Sequence, residues 1–222
     1  HIVLALDSTQ GTASNRSKLY VNGTQITSFG TDSGGSQNQN LMGNTSGKNI
    51  YIGGDGGQDT RYCGLYMAEV CFIDGQQLDP TSFGEFDEDS PTIWKPIDVS
   101  GLTFGNNGFY LDFEDSSNLG NDVNGGTDLT EVNLAATDVD KYTISMWVKR
   151  SRLGHRQMMM RVINPSSTGT YAFLEFQADD KINTNDYDES ASIAKTTNAQ
   201  FRDPNAWMHI VLALDSTQGT AS

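Results

Sequence analysis

Oxygen-bearing side chains gather in one short stretch. Asn121-Asp-Val-Asn-Gly-Gly-Thr-Asp128 sets Asp122, Asn124 and Asp128 around a Gly-Gly bend, and calcium, a hard cation, takes such ligands from pliant loops. The expectation is a calcium loop, weighed against an ordinary solvated turn; Asp55 and Asp59 form a sparser second set. The chain carries little else for chemistry. Of three histidines, His1 and His209 are one position of a repeated segment, which leaves His155. His209 comes just after Trp207 in a strand-like run and reads as a packed histidine. Cys63 and Cys71 lie eight residues apart. On one strand that is about 26 Å, against the roughly 7 Å a disulfide spans. They are free, bonded to another unit, or paired only if Gly64 turns the chain back. Their spacing does not suit zinc. Asn15, Asn22 and Asn44 each open an Asn-x-Ser/Thr triplet, the glycan acceptor of secreted proteins and also a frequent chance string.

The elements that must position these residues are strands. Tyr142-Thr-Ile-Ser-Met-Trp-Val-Lys149 alternates with period two, placing Tyr142, Ile144, Met146 and Val148 on a core face and Thr143, Ser145, Trp147 and Lys149 on a polar one. Lys18 to Phe29 is two short runs about Asn22-Gly23, the pair best suited to a type I′ hairpin turn. Further strands are expected at 49–53, 64–73, 109–113, 158–163, 171–177 and 207–214, parted by loops rich in Gly, Asn and Asp. Asp79-Pro80 suits the start of a short helical turn. The whole describes an all-β, two-sheet antiparallel sandwich. A sugar site needs an exposed aromatic ring near Asp or Asn. Trp147, on the polar side of its strand, Tyr66 and Trp94 are the candidates, against packing on the opposite sheet or a neighbouring unit.

Net charge is −14 over 222 residues. An acidic surface repels phosphate backbones and anionic lipid, so neither nucleic acid nor membrane is an expected partner. No apolar stretch approaches the roughly 20 residues of a membrane helix. The segment HIVLALDSTQGTAS at 1–14 recurs unchanged at 209–222, a period of 208 residues. Both ends are therefore expected to be cuts through a longer tandem protein. The stretch 87–105 holds an acidic cluster, Pro91 and Pro96, and lacks alternation. It reads as a connector packed through Ile93, Trp94 and Ile97.

Read from about residue 106 to the end and then on from His1, the chain gives Phe109-Tyr-Leu-Asp-Phe113, Tyr142-Thr-Ile-Ser-Met-Trp-Val148, Trp207-Met-His-Ile-Val211, Lys18-Leu-Tyr-Val-Asn-Gly23 and Tyr51-Ile-Gly-Gly54 in order. This order resembles the laminin-G-like, concanavalin-type jelly roll. The tail from Phe72-Ile-Asp-Gly75 through Ile93-Trp-Lys-Pro96 is similar to tail-fibre-like proteins of marine bacteriophages. The resemblance implies that 1–86 is the C-terminal half of one jelly roll, 87–105 a connector, and 106–222 the N-terminal half of the next. Halves completed by neighbouring units in a fibre are favoured over 1–86 folding back on 106–222. Some relatives of this type are glycosidases with a Glu-x-Asp-x-x-Glu pair. The nearest string here, Glu85-Phe-Asp87, has Ser90 where the second Glu belongs, so no enzyme activity is expected.

The expected function is that of a structural repeat in an extracellular or virion-associated fibre or filament, touching copies of itself and, in an adhesive role, cell-surface glycans. A carbohydrate-binding module of an adhesin or tail fibre is the alternative.

Overall fold

A computed structural model describes residues 2–7, 9–56, 64–124 and 135–215. Two sheets make the sandwich, antiparallel except where Ile2–Asp7 and Met208–Asp215 lie side by side. In spatial order the first runs β3 (Thr24–Ile26), β2 (Ser17–Val21), β1 (Ile2–Asp7), β15 (Met208–Asp215), β10 (Lys141–Arg150), β6 (Leu65–Asp74) and β9 (Phe109–Leu111). The second runs β4 (Phe29–Gly34), β14 (Ser192–Thr197), β13 (Ile182–Tyr187), β12 (Ser167–Phe176), β11 (Gln157–Asn164) and β5 (Asn49–Ile52). Alternate residues of facing strands fill the space between the sheets: Ile144, Met146 and Val148 of β10 meet Val162, Leu174 and Phe176 in one apolar cluster. The Asn22-Gly23 turn forms as expected, with φ of 49° and 76°.

Segments 1–86 and 106–222 share both sheets of one sandwich. Thus β5 pairs with β11, β4 with β14, and β6 with both β10 and β9. Within this chain the halves close on each other, which is the arrangement the sequence disfavours. The strand register supplies the reason: each half presents bare strand edges, and pairing them removes the cost of unpaired backbone groups.

The stretch expected to be a connector without strands is corrected in one respect. It contains β8 (Trp94–Pro96), paired with β7 (Gly84–Phe86) in a hairpin. Beyond the hairpin, Val99 and Phe104 pack with Cys71, Ile73 and Phe83 on the outer face of the seven-stranded sheet. The face of β10 expected to be polar and open is therefore covered, and Thr143 and Ser145 are fully buried there. Thr143 Oγ1 donates to Gln76 O at 2.7 Å and accepts from Leu78 N–H at 2.9 Å. The short turn at Pro80–Ser82 forms with Asp79 as its cap, accepting from Thr81 N–H at 2.8 Å.

β1 and β15, the two copies of the repeated strand, lie parallel and in register from Ile2 with Ile210 to Asp7 with Asp215. Both pair with the same residues of β10: Met146 faces Ile2 and Ile210, and Lys141 faces Asp7 and Asp215. β15 runs the full ladder along β10 from Lys141 to Val148, and β1 carries the pairing to β2 through Leu4 with Leu19.

Candidate carbohydrate-binding face

A two-sheet sandwich has four sheet faces. Two form the core, and the segment around Phe83, Val99 and Phe104 covers a third. The fourth, the outer face of the six-stranded sheet, has no other element packed upon it among the described residues. Period two sets the side chains it presents. In β12, Ala172, Leu174 and Phe176 point into the core, so Tyr171, Phe173 and Glu175 point outward.

Strand pairing extends these outward residues into rows. Tyr51 of β5, Arg161 of β11, Phe173 of β12 and Asn185 of β13 stand side by side. The next row holds Asn49, Ile163, Tyr171, Tyr187 and Ser192. All of these are half-buried, as side chains standing shoulder to shoulder on a sheet must be. Tyr171 joins the rows: its ring stacks on Phe173 at 5.9 Å and 18°, and meets Tyr187 at 5.5 Å and 47°. Neighbouring strands are about 4.8 Å apart, so four residues in a row span about 14 Å, the length of a short oligosaccharide.

Polar groups on this face are held in place. Arg156 grips Glu175 with two hydrogen bonds of 2.9 and 2.7 Å, and Asn183 donates to the same carboxylate at 3.2 Å. Ser192 Oγ donates to Asn185 Oδ1 at 2.6 Å, and Thr196 Oγ1 to Asn183 Oδ1 at 3.1 Å. Aromatic rings for the apolar side of a pyranose, with fixed amides and a guanidinium for its hydroxyls, are the chemistry of carbohydrate recognition. The sequence carries a signal for Tyr171 and Phe173, two aromatics at alternate positions. The other alternation, Ala172, Leu174 and Phe176, is as apolar, and nothing local says which set is buried.

The residues singled out from sequence lie elsewhere. Trp147 is 9% exposed and Trp94 8%, and they flank the His209 ring, with centroids 5.6 and 5.3 Å from it and planes within 14°. The expectation of an open Trp147 is thus corrected, since Trp94 and His209 cover that part of the sheet. Tyr66, 61% exposed, faces Lys149 from β6, on the other sheet from the Tyr171 patch. Asp122 is buried, and its Oδ1 accepts from Tyr110 N–H at 2.9 Å and Asn124 N–H at 3.0 Å, which ties the loop to β9. Asn124 is exposed. Asp128, like Asp59 and Cys63, lies outside the described residues. Among the described residues no three His, Cys, Asp or Glu side chains cluster as a metal site would.

Asn15 and Asn22 are exposed, but Asn44 is fully buried. Its Nδ2 donates to Asp74 Oδ1 at 2.6 Å, Asp138 O at 2.9 Å and Lys141 O at 3.0 Å. Its expected role as a glycan acceptor is therefore corrected for the folded chain. Cys71 is buried, and burial, with Glu69 nearby, pushes its thiol well above the ordinary range. Glu85 and Asp87 both reach Lys95, at 3.4 and 3.5 Å, on the exposed hairpin. No described helix is long and apolar enough to cross a membrane.

Comparison with known families matches residues 120–222, a little under half of the chain, to the concanavalin A-like lectin/glucanases superfamily in its laminin-G group. No curated protein and no solved structure gives a match. The matched segment contains β10 to β15, including Arg161, Tyr171, Phe173 and Tyr187 of the outer face, and with the rest of the chain it builds an all-β, concanavalin-like sandwich.

Proposed function

We propose that this jelly roll is a carbohydrate-binding, adhesive module that holds glycan on the outer face of the six-stranded sheet. The observation that carries the reading is the contiguous Tyr171, Phe173 and Tyr187 patch on a face that no described element covers. A contiguous, partly exposed aromatic patch marks an interaction site more often than scattered apolar residues do. The similarity to a lectin and glucanase superfamily supports the same reading. The test is a printed glycan array probed with the chain and with Phe173→Ala. Binding above background that falls at least tenfold in the variant supports the reading. An empty array, or binding that Phe173→Ala leaves unchanged, removes it.

A second reading places the module in series within an extracellular or virion-associated fibre. It rests on β1 and β15 meeting the same β10 residues. A strand has two hydrogen-bonding edges, and here the copy in β15 supplies the edge toward β10 while the copy in β1 supplies the edge toward β2. Together they amount to one strand, as they would in a chain where each unit flows into the next. Expressed as two successive 208-residue units, the protein should form two sandwiches in a row, seen as a doubled long dimension in small-angle scattering. A compact particle of unchanged length would remove the fibre reading.

A further inference from the structure

The open face also carries a signal for one class of glycan, an inference that rests on the carbohydrate-binding reading. Arg161 stands in the middle of this face, between Tyr51 and Phe173 on the neighbouring strands. It is half-buried, its Nε is shut away from solvent, and among the described residues it makes neither a hydrogen bond nor an ion pair. Four other arginines have partners. Arg150 meets Asp180 at 3.0 Å, Arg156 meets Glu175, Arg202 meets Asp180 at 3.0 Å, and Arg16 meets the carbonyls of Gly34 and Gly35. Acids are not scarce, with 28 Asp and Glu against 14 Lys and Arg. Glu175, its diagonal neighbour on β12, is already held by Arg156 and Asn183.

A guanidinium partly withdrawn from water without a counter-ion loses solvation and gains nothing in return. It keeps the planar fork that grips a carboxylate or sulfate with two hydrogen bonds. We propose that the face binds an acidic glycan, whose sugar rings lie on Phe173 and Tyr171 and whose oxyanion is met by Arg161. The net charge of −14 opposes polyanions at a distance, but at physiological salt charges more than about 8 Å apart are largely screened, so the local cation decides.

The test is an array of neutral, uronate, sialylated and sulfated glycans, probed with the chain, with Arg161→Gln and with Phe173→Ala. Melting temperatures of the variants verify folding. The expected result is binding to acidic members that drops about 10- to 100-fold in Arg161→Gln, the range for a hydrogen bond to a charged group. The uronate and sialylated spots against the sulfated ones tell carboxylate from sulfate. Binding to neutral glycans that Phe173→Ala abolishes and Arg161→Gln leaves intact overturns the acidic ligand and keeps the module. Binding to nothing, or binding indifferent to both substitutions, overturns both.

Discussion

Trp94 lies flat on His209, ring centroid to ring centroid 5.3 Å and 14° from parallel, which fastens the β7–β8 hairpin onto the repeated strand. Phe86 meets the Trp94 ring edge-on at 4.9 Å. Gly23, at φ 76°, lies so close that a Cβ there would come within 2.5 Å of the Trp94 ring. The hairpin is in this way part of the fold. Replacing Trp94 with Ala should cost about 3–5 kcal/mol, as loss of a buried aromatic does. Urea melts would register it; a cost below about 1 kcal/mol would mean the hairpin is dispensable.

Asp186 puts a carboxyl inside the sandwich. Met42 N–H donates to it at 2.7 Å, Gly43 N–H at 3.0 Å and Tyr142 Oη at 3.1 Å. Burial outweighs these bonds and raises its pKa from 3.8 to about 7. A carboxyl raised on folding contributes stability that is complete below its unfolded pKa and lost as pH climbs through the folded one. The Asp186 contribution should accordingly fade between about pH 4 and pH 7 and change little above. In Asp186→Asn one backbone N–H would face an amide NH2, so the variant should be clearly less stable than the parent at about pH 4, with the gap closing by about pH 7.5. Thermal melts across this range decide it, and a gap that widens with pH would contradict the assignment.

Asn44 spends its side-chain nitrogen on three acceptors inside the fold, whereas Asn15 and Asn22 are exposed. Secreted from a eukaryotic host, the folded fraction should carry glycan at Asn15 or Asn22 and none at Asn44. Peptide mass mapping reads this directly. Asn44→Gln should lower the yield of folded protein without changing its glycan mass.

One lane between β10 and β2 serves two identical strands. Met146 faces both Ile2 and Ile210, although one strand edge offers hydrogen bonds for a single partner strand. A chain without residues 1–14, or one without 209–222, should therefore fold with much the same far-ultraviolet dichroism as the parent. A chain without both should not, because β10 and β2 would each keep an open edge. Folding of the doubly shortened chain would show that the lane needs no occupant.

Much of this molecule is legible in the strings themselves. Asn22-Gly23 makes its turn because those two residues accept positive φ more readily than others, and Asp79-Pro80 starts its helical turn for reasons equally local. The alternation of Tyr142 to Val148 marks β10 whatever lies around it. β13 and β14 escape such a reading because, beside Ile182 and Ile193, their inward positions are polar: Thr184, Asp186, Lys195 and Thr197. Each is satisfied only by a partner outside its own strand, as when Thr184 Oγ1 donates to Phe173 O at 2.9 Å or Lys195 pairs with Asp32.

What the sequence determined alone was the succession of strands and turns, since backbone preference and period two act between neighbours. Which side of each strand met water was decided by tertiary structure. Trp147 is covered by His209 and Trp94, and Phe173 stands half-buried on the outer face beside Arg161, because pairing with strands far along the chain fixes the register, and a slip of one residue would exchange the faces.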